Sequence, residues 1–151
     1  MRDDFSKPTI AKLAARAGHL CSNPECRKPT IGPAAGHEGF IIVGVAGHIT
    51  AASLGGPRFD PTLSHEQRRH QSNGIWVCEV CGKLIDSDVN HFTVELLRGW
   101  KNTAEARAFR SISTAAFGSQ PGLDELFPLG EPSAELLAST GFPRDVGADI
   151  P

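Results

Sequence analysis

No long hydrophobic run occurs anywhere in the 151 residues of this chain. The opening stretch MRDDFSKPTIAKLAARAG lacks the continuous apolar segment of a signal peptide, and nothing later approaches the roughly 18 apolar residues that a membrane-spanning helix needs. A soluble, cytoplasmic protein with no membrane partner is therefore expected. Apolar residues are themselves somewhat scarce, at 40%, against 16 glycines and 11 prolines. One domain with a modest core follows, the situation in which a structural metal contributes most. There is no internal repeat, and no evident recognition helix or set of Arg, Asn and Gln for reading base edges, so little sequence specificity is expected of any nucleic-acid activity. Nor is there a general excess of positive charge. The net of −2 hides an asymmetry, however: residues 119–151 carry −5 and residues 1–118 carry +3. The body is mildly basic, which permits binding to DNA without demonstrating it.

What the chain does have is four cysteines in two pairs, Cys21-x4-Cys26 and Cys78-x2-Cys81, separated by 51 residues. In a reducing compartment such pairs read as metal ligands or, as the alternative for Cys78 and Cys81, a thioredoxin-like redox pair. The metal is favoured because short Cys loops bring two thiolates to one zinc ion without strain. Four protein thiolates close the coordination shell. The expected Zn2+ is then structural, with no open position for a reacting water.

The remaining pattern predicts an α+β domain. TIAKLAARAG (9–18) reads as a helix with Thr9 as N-cap, and the loop after it carries the first cysteine pair. GFIIVGVAGHIT (39–50) reads as one strand delivering His48 to its end. A long polar connection follows, in which His65–Arg69 could form a helical turn. There His65, Arg68, Arg69 and His70 read as a solvated face, with contact to a DNA backbone as the alternative. Residues 74–78 form a second strand, a helix begins near Cys81, and another runs from Thr93, its N-cap, to Phe109. That last helix turns Val94, Leu97, Trp100, Ala104 and Ala108 inward. Trp76 and Trp100 read as core aromatics, and His19 and His37 as uninformative. Residues 1–118 are taken as the domain and 119–151 as an acidic linker or extension.

The segments GHITAASLGGPRFD (47–60), NGIWVCEVCGKLIDSD (73–88) and FTVELLRGWKNTAEARA (92–108), with CSNPECRKPT (21–30), resemble the zinc-containing HNH endonucleases, the ββα-metal or His-Me finger family. Members of that subfamily serve as DNA-degrading effectors in bacterial antiphage defence. The resemblance implies a small ββα-metal domain flanked by helices, with His48 as general base and Asn73 orienting it or binding a catalytic Mg2+ or Mn2+. It implies the four cysteines as zinc ligands and DNA as substrate. A free, unspecific nuclease would harm its host, so the acidic tail after Gly118 suggests gating by a sensor, an activator or homo-oligomer assembly. Two departures stand out, since Gly47 and Gly82 occupy positions where relatives place metal ligands. Asp86, one helical turn beyond Gly82, is the candidate replacement ligand, with Asp88 and His91 behind it. Arg58, after a Gly-Gly-Pro turn, is a candidate phosphate contact or a solvated loop charge. The alternative function is a zinc-stabilised module that binds nucleic acid or protein and has lost catalysis.

Overall fold

Glycine at position 44 and tryptophan at position 76 explain how the centre of the domain closes. The computed structural model describes residues 2–116; the extension assigned above to 119–151 lies outside them. The elements in order are α1 (Lys7–Arg16), β1 (Ile31–Pro33), β2 (Phe40–Ile42), β3 (Gly44–His48), α2 (His65–Arg69), a 3-10 turn (Gln71–Asn73), β4 (Gly74–Cys78), α3 (Glu79–Ser87) and α4 (Val94–Ala116). The expected α+β class holds. Strands β3 and β4 pair antiparallel, with Gly44 opposite Cys78, Ala46 opposite Trp76 and His48 opposite Gly74.

Because side chains alternate along a strand, this hairpin feeds two cores. Ile75 and Val77 point to one side, where they pack with Cys21, Ile49, Cys78, Cys81, Ile85, Phe92 and Leu97. Trp76 and Ala46 point to the other, against Phe5, Leu13, Ala14 and Ala17 around α1. All five residues of β4 are buried, which is why GIWVC is apolar without interruption. A Cβ at Gly44 would lie 2.2 Å from the Trp76 ring, so only glycine lets the indole cover that strand. The indole N–H donates to Thr30 Oγ1 at 2.9 Å.

Several boundaries differ from those read in the sequence. Helix α1 starts earlier, because Ser6, not Thr9, is its N-cap; the Ser6 hydroxyl accepts the Thr9 N–H. Pro8 sits in the first turn, where its missing N–H is not needed. The strand expected over 39–50 is two strands in two sheets, since β2 pairs with β1 rather than with β4. The change of partner comes at Val43, whose N–H goes to Thr30 and whose carbonyl accepts from Glu79. The helical turn at 65–69 is present, with a capping box from Ser64 and Gln67. Helix α3 begins at Glu79, two residues before Cys81, with Cys78 as its N-cap.

Thr93 accepts the Leu96 N–H at the start of α4, as a cap should. Leu97 and Ala104 are buried on the inward face of that helix. Among the described residues no helix is long and apolar enough to cross a membrane.

Candidate functional site

The cysteine pairs converge. Cys21 and Cys26 sit on the loop after α1, Cys78 ends β4 and Cys81 lies in the first turn of α3. Their four sulfurs lie within 4.8 Å of one another, and Cys26 Sγ to Cys78 Sγ is 3.9 Å. A tetrahedral zinc with bonds near 2.3 Å sets its sulfurs about 3.8 Å apart, so the cluster could hold a metal ion such as zinc. Hydrogen-bond donors face the sulfurs: the Cys78 N–H points at Cys21 Sγ, the Cys81 N–H at Cys78 Sγ, and Asn23 Nδ2 at Cys81 Sγ, each at 3.4 Å. Such donors support thiolates bound to a cation. Burial pushes the Cys21 thiol up to about 12. At Cys78 burial acts in the same direction, but hydrogen bonds from the Cys81 N–H and neighbouring thiols outweigh it and the thiol is lowered. Asn23 escaped the sequence reading because nothing in CSNPEC marks its amide as turned inward.

His48, at the end of β3, lies at the opposite end of the hairpin from Cys78 and on the opposite side from Ile75. Its ring stacks on Phe5, with centroids 3.8 Å apart and planes 7° from parallel. Nε2 is 3.0 Å from the Asp3 carbonyl oxygen. A carbonyl only accepts, so Nε2 carries the proton and the neutral ring leaves Nδ1 with its lone pair free. Burial lowers the His48 pKa below its ordinary 6.5, which keeps the ring neutral at pH 7. His48 and Asp86 line one cleft of about 210 Å3, together with Arg2, Gly47, Ser53 and Pro57. Asp88 and His91 are not among its lining residues; the Asp88 carboxylate instead accepts the His91 N–H at 3.1 Å.

Asn73 is buried and its amide is fully engaged. Its oxygen accepts the Thr50 N–H and hydroxyl at 3.0 and 2.7 Å, and its nitrogen donates to the carbonyls of Thr50 and Arg68. It fastens the chain just past His48 and makes no bond to the ring. Arg58 is not the solvated charge or open phosphate contact of the sequence reading. Its side chain is 5% exposed. It donates to the carbonyls of Ile49 at 2.8 Å, Ile85 at 2.6 Å and His48 at 3.4 Å, and to Asp86 Oδ1 at 2.9 Å. It staples the end of β3 to α3 and orients Asp86.

Arg68 likewise departs from its expected place on a solvated face. It is buried, with Nε 2.8 Å from the Asp3 carboxylate.

The four cysteine sulfurs fit a metal ion such as zinc, but among the described residues the cleft does not form a resident site for a hard cation. Asp86 is its one carboxylate among the described residues, and Arg58 already holds it. Of the two glycines, Gly82 is enforced by packing, because a Cβ there would lie 2.9 Å from Val45 Cγ2. At Gly47 a Cβ would meet only ordinary contacts, the nearest at 3.5 Å. No family model matches the chain, and no curated protein matches it either.

Proposed function

We propose that this chain is a zinc-stabilised endonuclease of the ββα-metal kind that hydrolyses phosphodiester bonds in DNA with little sequence specificity. The observation that carries the reading is His48. One ring nitrogen is tied to a backbone carbonyl and the other is free, in a cleft shared with a carboxylate, at the end of a ββα unit built on four cysteines. A neutral imidazole with a fixed tautomer suits a general base. Nδ1 of His48 would take the proton from the attacking water, while the Asp3 carbonyl and Phe5 hold the ring in place. Asn73 and Arg58 act behind it, holding the chain on either side so that ring and carboxylate keep their separation. Asp86 would bind Mg2+ or Mn2+ together with phosphate oxygens of the substrate, a cation that arrives with its phosphate. Such an ion supplies charge neutralisation at the leaving oxygen. A nuclease this unspecific suits an effector of antiphage defence, released by a sensor, an activator or self-assembly.

A second reading keeps the zinc fold and loses the chemistry, and the donor-poor cleft favours it: a nucleic-acid or protein-binding module. Plasmid DNA incubated with Mg2+ or Mn2+ separates the two. Cleavage by the wild type and its loss in His48→Ala, with zinc content unchanged, supports the enzyme. Salt-sensitive DNA binding without cleavage by the wild type, in the presence or absence of added cell extract, would support the module.

A further inference from the structure

The segment Arg2–Phe5 supplies nothing that reacts, yet it converges on His48 from several directions. Phe5 stacks on the ring and the Asp3 carbonyl accepts from Nε2. The Asp3 N–H donates to the Ala52 carbonyl at 2.9 Å, on the loop that follows His48. The Asp3 carboxylate is 1% exposed and is surrounded by α2. Arg68 Nε lies 2.8 Å from it, Arg69 Nε 3.3 Å, and His65 Nδ1 2.9 Å from both oxygens. A buried carboxylate held by two guanidiniums and an imidazole restrains this segment far more than one backbone hydrogen bond could.

We propose that Asp3 is a positioning residue for His48. Arg68 and Arg69 grip its carboxylate, and that grip places its carbonyl where it holds the His48 Nε2–H and leaves Nδ1 aimed for proton abstraction. The inference deepens the nuclease reading and rests on it for the reaction step, although the state of the ring can be read without any substrate. Arg68 and Arg69 then act through Asp3, 65 and 66 residues away along the chain, and not on nucleic acid.

The test uses the full chain loaded with zinc. Nitrogen-15 NMR of the His48 ring should show the Nε2–H tautomer in the wild type, with an Nε2 proton slow to exchange. In Asp3→Asn, with zinc content and a cooperative melt retained, that proton should exchange rapidly. DNA cleavage should fall about 10- to 100-fold in kcat with little change in KM. Adding Arg68→Gln to Asp3→Asn should not speed exchange of the ring proton further, as befits residues acting on the ring in series, although stability falls through the lost Leu63 contact.

A wild-type Nδ1–H tautomer would overturn the proposal, as would a His48 ring signature unmoved in a folded Asp3→Asn. Should Asp3→Asn fail to fold, Arg69→Gln removes only the longest of the three contacts and is judged by the same ring signature. If the wild type cuts no DNA, the nuclease reading falls alone, because the ring measurement still decides the role of Asp3.

Discussion

Stripping the metal from the cysteine cluster should unfold the domain. Of the nine residues in the core around β4, three are cysteines, namely Cys21, Cys78 and Cys81. The ligands are therefore not clipped onto a finished core; they form a third of it. Structural zinc contributes about 10–16 kcal/mol in small domains, whereas a whole domain of this size is stable by about 5–15 kcal/mol. The metal term is thus comparable to the stability of a whole domain. Without the ion the Cys21 thiol stays protonated, since burial holds it at about 12, and four sulfurs have nothing to bind at the centre. The assay is chelation in reducing buffer, following released zinc by a colorimetric indicator, helix content by circular dichroism, and thiol reactivity. One zinc per chain should leave, ellipticity should collapse in step, and all four thiols should become reactive together. A cooperative melt that persists within a few degrees after zinc has left would refute the reasoning, as would thiols that stay protected. Cys81→Ala should reproduce the collapse, and His48→Ala should not.

Arg58→Ala should lower stability by about 2–4 kcal/mol, because it strands the carbonyls of Ile49 and Ile85 that the guanidinium now satisfies; a phosphate-binding side chain would instead leave the urea midpoint unchanged. Leu97→Ala, at a fully buried position, should cost about 3–5 kcal/mol by urea denaturation. Gly44→Ala should be far more damaging than Gly47→Ala, since only the first would press a Cβ into the Trp76 ring; comparable melting temperatures for the two would contradict that packing. Stability should also depend on pH in two windows. His48 has a folded pKa below 6.5, so the unfolded chain binds its proton first and stability falls as pH drops below 6.5. Asp3 is held down to about 2 from 3.8 by its hydrogen bonds with Arg68 and then His65, so its contribution is complete above pH 3.8 and is lost as pH falls towards 2. Urea midpoints measured against pH should lose the first slope in His48→Gln, and in Asp3→Asn the second should shrink to what Asp60 and Glu105, whose carboxylates are also lowered, contribute.

How far the sequence could be read depended on whether a signal was local. Residues 74–78 were readable as a strand to the residue, because five buried positions in a row leave an unbroken apolar run. The start of helix α4 was readable from its 3.6-residue stripe and the Thr93 cap, but not its end, since it runs past Phe109 to Ala116. The exposed FIIV of 40–43 misled, since β-branched residues favour a strand without saying which partner it takes. Asn73 and Arg58 carried chemistry by type, yet both are consumed by backbone groups.

The sequence by itself determined that the cysteines fall into two close pairs, that the domain is α+β, and that His48 ends a strand. Spacing and periodicity are properties of neighbours along the chain, and each of these rests on them. Only the tertiary structure decided which His48 nitrogen is free, that Arg68 faces Asp3 instead of solvent, and that Arg58 holds Asp86. Asp3 and Arg68 are 65 residues apart. A charge pair closed across so long a loop leaves no periodic trace in the sequence, because its partners are chosen by where the β3–β4 hairpin carries them.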